Sequence, residues 1–253
     1  MKKIVAIDIG NTDIVCGIFQ GKKFLREWRL NTKVCTSTAK CRKWLSKILG
    51  GKKEIQGIIL CSVVPKKNRF FKKAASLLHL PIDVVGETVR CPIPNRYWNP
   101  KEVGQDRLVN AYAALKRYGA PAIIVDFGTA ITVDLVSRRG EYLGGIIAPG
   151  MGISLEALNE KTALLPSVRL KSPFSLLGRN TEGSMLSGAF YGFASLCDGL
   201  IAKLRKKYGK KIQSIVTGGH SNIILTYCKQ IDYINTHLTL QGLQLISKEI
   251  HPE

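Results

Sequence analysis

Two short segments put a carboxylate, a glycine and small polar side chains at the end of a β-branched run. The first reads Asp8-Ile9-Gly10-Asn11-Thr12 after Ile4-Val5-Ala6-Ile7, and the second reads Asp126-Phe127-Gly128-Thr129 after Ala122-Ile123-Ile124-Val125. A third such run, 212–216, ends in Thr217-Gly218-Gly219. Backbone N–H groups in turns of this kind suit phosphate oxygens, and a carboxylate such as Asp8 suits Mg2+, directly or through water, because hard cations take oxygen ligands. A plain β-hairpin turn has the same composition, so one copy alone leaves both readings open. Neither GxxxxGK[ST] nor GxGxxG occurs, which excludes the two commonest nucleotide loops. A fourth segment, Gly104-Gln105-Asp106-Arg107, sets an acid and a base side by side where a helix begins; this is either a dipole-favourable acid beside a surface arginine or a reactive pair.

The elements that position these groups follow from hydrophobic pattern. Asp8 and Asp126 lie 118 residues apart, and each is followed by a second β-branched strand (13–19 and 130–136). A fixed-offset repeat of this kind indicates two copies of one domain rather than a solenoid, divided at 1–117 and 118–253, with a nucleotide cleft between the halves. Further strands are expected at 24–32, 57–64, 82–85, 141–149 and 212–216. Helices are expected at 38–49 (stopped by Gly50-Gly51), 66–78, 104–118, 151–161 and 183–208. Residues 90–103, with three prolines, and 166–180 read as loops. Strands alternating with helices give an α/β fold.

Composition bounds the rest. The 253 residues carry 38 Lys+Arg and 18 Asp+Glu, a net charge of +20. Residues 1–117 hold 24 of those cations against 8 acids, concentrated in 40–53 (including Lys52 and Lys53) and 66–73. Such a field attracts nucleic acid, anionic membrane or anionic metabolites, but its spacing among Trp44, Leu45, Ile48, Phe70 and Phe71 also suits amphipathic helices with a merely basic outer face. Seven scattered cysteines without a CxxC pair read as buried or incidental thiols of a reducing cytoplasm, and make zinc an unexpected ligand. No apolar run approaches the ~18 residues of a membrane span, and no signal-peptide pattern follows Met1.

Taken together, Asp8–Thr12, Gly104–Arg107, Asp126–Thr132, Gly144–Gly150, Asn180-Thr181 and Thr217–Gly219 resemble, in order and over residues 4 to about 245, the motif set of type III pantothenate kinases. Those enzymes belong to the acetate-and-sugar-kinase/Hsp70/actin superfamily, built from two ribonuclease-H-like domains. The resemblance implies ATP-dependent phosphorylation of pantothenate to 4′-phosphopantothenate, the first step of coenzyme A synthesis. It implies a phosphate-binding loop from Asp8 through Ile9, Gly10, Asn11, Thr12, Asp13 and Ile14 to Val15, with Asp8 helping to hold Mg2+, and a phosphate contact at Thr129. Asp106 becomes the general base, adequate because positioning and charge neutralisation do most of the work in phosphoryl transfer. Tyr97, Gly104, Gln105, Asp106, Arg107 and Thr181 line the pantothenate site, the arginine suiting the substrate's carboxylate. Asp126 becomes the ligand of a monovalent cation, K+ or NH4+. A cytoplasmic homodimer, with no membrane partner, is the implied state.

Several residues keep a second reading. Thr181 can be only a helix N-cap. Tyr97 and Trp98 can anchor the proline-rich loop, Trp98 more so than Tyr97. Asp134 and His220 read as structural, and residues 144–150 as a turn shaping the cleft. Gln105 departs from the small residue usual in the family, so its longer amide either narrows the acceptor pocket or adds a hydrogen bond. A nucleic-acid-binding protein on the same scaffold is the competing function. The basic first half is its only support, since no helix-turn-helix, zinc-finger or RNP-like aromatic motif is present.

Overall fold

The computed structural model describes residues 3–50 and 54–252; Gly51, Lys52 and Lys53, assigned above to a helix stop and the basic run, lie outside them. Five strands form the first sheet: β1 (Lys3–Ile9), β2 (Asp13–Gln20), β3 (Lys23–Asn31), β4 (Ile55–Ser62) and β5 (Ile82–Val84), in the order β3-β2-β1-β4-β5. Five more form the second: β6 (Ala122–Phe127), β7 (Ala130–Val136), β8 (Tyr142–Pro149), β9 (Gln213–Thr217) and β10 (Tyr233–Ile234), in the order β10-β9-β6-β7-β8. Each sheet is an antiparallel three-strand meander whose first strand also pairs in parallel with a fourth, and the fourth with a fifth. The duplication read from Asp8 and Asp126 is therefore a duplication of topology. Asp8 is the register partner of Val15 and Cys61, and Asp126 that of Thr132 and Thr217.

In the first unit, α1 (Thr38–Leu49) and α2 (Pro65–Ser76) connect strands. Ser37 caps α1 by accepting from the Lys40 N–H, and Gly50 ends it at φ 53°, the left-handed backbone that glycine adopts without penalty. Pro65 opens α2, one residue before the expected helix at 66–78, at a position where its missing N–H costs nothing. Cys41, Leu45, Ile48, Phe71, Ala74 and Ala75 face the core, which also takes Val5, Ile7, Ile14 and Leu60. The lysines and arginines of both helices, Lys67 half-buried and the others exposed, line the opposite face.

The second unit buries Ile123, Val125, Phe127 and Val133 against α4 (Met151–Lys161) and a long helix. That helix runs Thr181–Tyr208 as α5 (Thr181–Ser187), a π-helical turn at Gly188–Gly192 and α6 (Phe193–Tyr208). It is long and apolar enough by composition to cross a membrane, yet its stripe of Met185, Phe190, Ala194 and Ile201 lies in this core. A short α7 (Ser221–Ile224) follows β9.

The compact units are Met1–Pro94, Trp98–Ala113 and Leu238–Glu253 for the first, and Asn95–Tyr97 and Ala114–His237 for the second. The chain thus passes from one to the other within α3 (Gln105–Tyr118). The last helix, α8 (Leu238–Ile250), counts with the first unit, unlike a cut of the sequence at 117/118. The reason is close packing. A β-carbon on Gly242 would lie 2.7 Å from Val109 Cγ1 and 3.1 Å from Ala113 Cβ, and one on Gly17 would lie 3.0 Å from Leu240 Cδ1. Gln244 Nε2 donates to the Gly21 carbonyl at 2.9 Å.

Candidate active site

The β1–β2 turn is closed by the Gly10 N–H donating to the Asp13 carbonyl at 2.9 Å. Asn11 and Thr12 stand exposed at its tip, with Asp8, Asp13 and Val15 half-buried. Ile9 and Ile14 are fully buried core residues, so only their backbone is on offer to a ligand. Asp13 pairs with Arg29 on β3 at 3.6 Å. The turn is held from outside by Thr32, whose N–H donates to the Thr12 carbonyl and whose hydroxyl donates to the Gly10 carbonyl, both at 2.8 Å. Thr32 carries no local signal for this role, which depends on where β3 ends.

At the start of α3, Arg107 is 7% exposed and Asp106 half-buried, which removes the reading of a surface acid–base pair. Asp106 Oδ1 accepts from the Arg107 N–H at 2.9 Å. Gly104 leaves that carboxylate its room, since a β-carbon there would sit 2.5 Å from Asp106 Oδ1. Gln105 lies over Gly86, a position absent from the sequence reading. Cys61 connects this segment with the β1–β2 turn. Its fully buried thiol is pushed well above the ordinary range, first by burial and then by the charges of Asp8 and Asp106, with Cys91 contributing. The carboxylates of the turn and of the helix start therefore act on one point at the end of β4.

In the second unit, glycines frame Asp126. A β-carbon on Gly128 would lie 3.3 Å from Asp126 Oδ1, and one on Gly218, at φ 96°, would press on the same oxygen and lie 2.6 Å from the Phe127 carbonyl oxygen. The carboxylate and a backbone carbonyl thus converge where side chains are missing, a hard-oxygen set that fits K+ or NH4+ by donor chemistry. Among the described residues no group of three or more His, Cys, Asp or Glu is arranged for a metal. Thr129 adjoins the N-terminus of α4, where a β-carbon on Gly150 would collide with the Thr129 carbonyl. Gly150 caps α4 without a side-chain hydrogen bond, and such an N-terminus suits phosphate.

Tyr97 also belongs to the second unit. Its ring lies 6.4 Å from that of Tyr142 and 3.5 Å from where a Gly144 β-carbon would be. Arg96 Nη2 donates to Glu141 at 2.6 Å, and its guanidinium holds that carboxyl below the usual range. Trp98 is wholly exposed (104%), so it anchors nothing and Tyr97 is the loop's anchor. Asp134, 1% exposed, accepts from the Tyr142 hydroxyl at 2.8 Å, a structural role as expected. Residues 144–149 are strand β8, not a turn. Asn180, not Thr181, caps α5, accepting from the Gly183 N–H at 2.7 Å; Thr181 is the first helical residue and exposed. His220 precedes α7, its N–H donating to the Phe127 carbonyl at 3.0 Å. All seven cysteines are free thiols, five of them buried.

A sequence model of the type III pantothenate kinases matches residues 4–203. A type III pantothenate kinase of Moorella thermoacetica is 41% identical over 249 residues, covering 96% of this chain and 98% of the relative. Among solved structures, a Campylobacter jejuni protein described as a Baf family transcriptional activator superposes with TM-score 0.61 at 20% identity, over 97% of this chain and 98% of that one. A ROK family glucokinase from Streptomyces griseus, in complex with glucose and AMPPNP, gives 0.55 at 12% identity, over 98% and 99%. These two likenesses are of fold, the two-domain α/β fold of actin-like ATPases and sugar kinases.

Proposed function

Because the chain belongs to the type III pantothenate kinase family, we propose that it transfers the γ-phosphoryl group of ATP to the primary hydroxyl of pantothenate, opening coenzyme A synthesis. The observation that carries the site assignment is that the end of β4 adjoins both carboxylates: Cys61 is the register partner of Asp8, and Val63, just past β4, has its Cγ1 3.8 Å from where a β-carbon on Gly104, beside Asp106, would lie. It brings a phosphate-type turn and a candidate base to one end of one sheet. Asp106 takes the hydroxyl proton as the oxygen attacks the γ-phosphorus and ADP leaves. The Arg107 N–H on Asp106 Oδ1 fixes the carboxylate's orientation, and orientation is most of what such a reaction needs from a base. The 8–15 turn and Thr129 with the α4 N-terminus receive the phosphates. Arg107, Gly104, Gln105, Tyr97 and Thr181 receive the acceptor.

Asp8 would hold Mg2+, and Asp126 with the Phe127 carbonyl a K+ or NH4+ ion; these cations supply charge neutralisation for the phosphates. Exposed apolar side chains of the second unit, among them Ile147, Leu164, Phe174 and Leu177 at 63–106% exposure, support a homodimer, since surfaces of this kind mark interfaces. A cytoplasmic location agrees with ATP as substrate and with free thiols. The deciding experiment is phosphopantothenate detection by mass from purified protein with ATP, Mg2+ and pantothenate, with K+ or NH4+ against Na+ alone. Product that needs pantothenate and the larger cation supports the reading; none from folded, ATP-binding protein rejects it. The exposed cations of α1 and α2, of which only Lys72 has a carboxylate partner among the described residues, Glu87, favour polyanion binding as a second reading. A DNA-binding series in salt tests it.

A further inference from the structure

Gly86 follows β5 in a turn with little freedom. Its N–H donates to the Val89 carbonyl at 2.7 Å, the Val85 N–H to the Leu60 carbonyl at 2.8 Å, and the Thr88 N–H to the Val84 carbonyl at 2.9 Å. Thr88 Oγ1 accepts from the Val84 N–H at 2.8 Å. Glu87 is fastened to α2 by Asn68 Nδ2 at 2.5 Å and Lys72 Nζ at 2.9 Å. Leu60 immediately precedes Cys61, so the turn hangs on the strand end where the Asp8 and Asp106 charges meet. Into the space over Gly86 the next side chain of the site is folded. A β-carbon at position 86 would lie 2.6 Å from Gln105 Cδ, 2.8 Å from Cγ and 3.0 Å from Nε2. Apolar contacts need about 3.5 Å, so the fit requires a residue without a side chain. Gln105 is half-buried, and its amide makes no hydrogen bond to another described residue.

We infer that Gly86 and Gln105 together form an acceptor-specificity element: Gly86 seats the Gln105 side chain, and the seated amide hydrogen-bonds a polar group of the acceptor beyond the hydroxyl that Asp106 deprotonates. The inference rests on the kinase reading above. A half-buried amide donates and accepts at once, which matches an acceptor that carries an amide or a second hydroxyl. An acceptor lacking that group would leave the amide unpaired, and this is how a hydrogen-bonding site discriminates. Gly86 touches no reacting atom; it is a positioning residue and acts only through Gln105.

The test is a double-mutant cycle on the full-length protein, with KM and kcat measured for pantothenate and KM for ATP. Gln105→Ala should raise KM for pantothenate about tenfold, the usual effect of losing one neutral hydrogen bond, with kcat within about twofold and KM for ATP unchanged, the pattern of a lost uniform binding contact. Gly86→Ala should raise KM for pantothenate in the wild-type background and add nothing to Gln105→Ala. Strain from φ 88° at position 86 is present in both backgrounds and cancels in the cycle. An unchanged KM in Gln105→Ala overturns the inference, as does a Gly86→Ala penalty of equal size in both backgrounds. If Gly86→Ala does not fold, Gln105→Ala carries the test alone. A wild-type protein that forms no phosphopantothenate overturns the kinase reading and this inference together. Normal wild-type turnover with a flat KM in Gln105→Ala overturns this inference only.

Discussion

Replacing Gly104 by alanine perturbs one carboxylate and almost nothing else. The backbone there is outside the left-handed region, so alanine adopts it without strain. The added carbon would lie 2.5 Å from Asp106 Oδ1, 3.7 Å from Asp106 Cγ and 3.8 Å from Val63 Cγ1. A carbon–oxygen contact is comfortable from about 3.3 Å, so the carboxylate must turn away by roughly 0.8 Å. The Arg107 N–H bond to Oδ1, now 2.9 Å, is then lost, at about 1 kcal/mol of stability, or roughly 3 °C in melting temperature for a chain of this size. The catalytic effect is larger. A misplacement near 1 Å costs on the order of 100-fold, equivalent to about 2.7 kcal/mol in the barrier. Phosphopantothenate formation at saturating ATP and pantothenate measures kcat, and calorimetry measures nucleotide affinity, which should not change. A folded Gly104→Ala protein with wild-type kcat would refute the argument that the Asp106 orientation sets the rate.

Three further outcomes are expected. Asp106→Asn should keep the fold and ATP affinity while losing most turnover, and retained turnover would remove Asp106 as base. Asp126→Ala should abolish the gain in rate on replacing Na+ by K+, measured as product formed across a K+ series; an undiminished K+ response would reject the cation role. Glu87 has its carboxyl held below the ordinary 4.5 by hydrogen bonds from Asn68 and then Lys72. That contribution is present above 4.5 and is lost as pH falls through the folded value. Glu87→Gln should therefore lower the urea midpoint at pH 7, and the gap to wild type should close on acidification.

The repeated strand–turn–strand was legible because a sheet alternates its faces in the sequence itself: Ile7 and Ile9 are core and Asp8 is not. Helix α1 was legible to its last residue because Ser37 and Gly50 are local caps. What escaped was non-local. Nothing in the sequence between 238 and 250 announces that Gly242 fits against Val109, or that Gly86 receives Gln105; a glycine's purpose is the neighbour it admits. Trp98 misled for the converse reason: an aromatic residue suggests an anchor, but the β8 surface takes Tyr97, whose ring sits beside Gly144. Asn180 and Thr181 are both capping residue types, and only the backbone decides that Asn180 is the cap.

The return of α8 to the first sheet has a consequence for biosynthesis. The first unit is begun first on the ribosome but lacks Leu240 and Gln244, which pack against Gly17 and bond to Gly21, until the chain is finished. Between Ala113 and Leu238 lies almost the whole second unit, some ten seconds of synthesis at roughly 5–20 residues per second. During that interval the β1–β2 surface waits uncovered on the nascent chain. A stop codon just before residue 238 would release a chain whose second unit is nearly complete and whose first lacks α8.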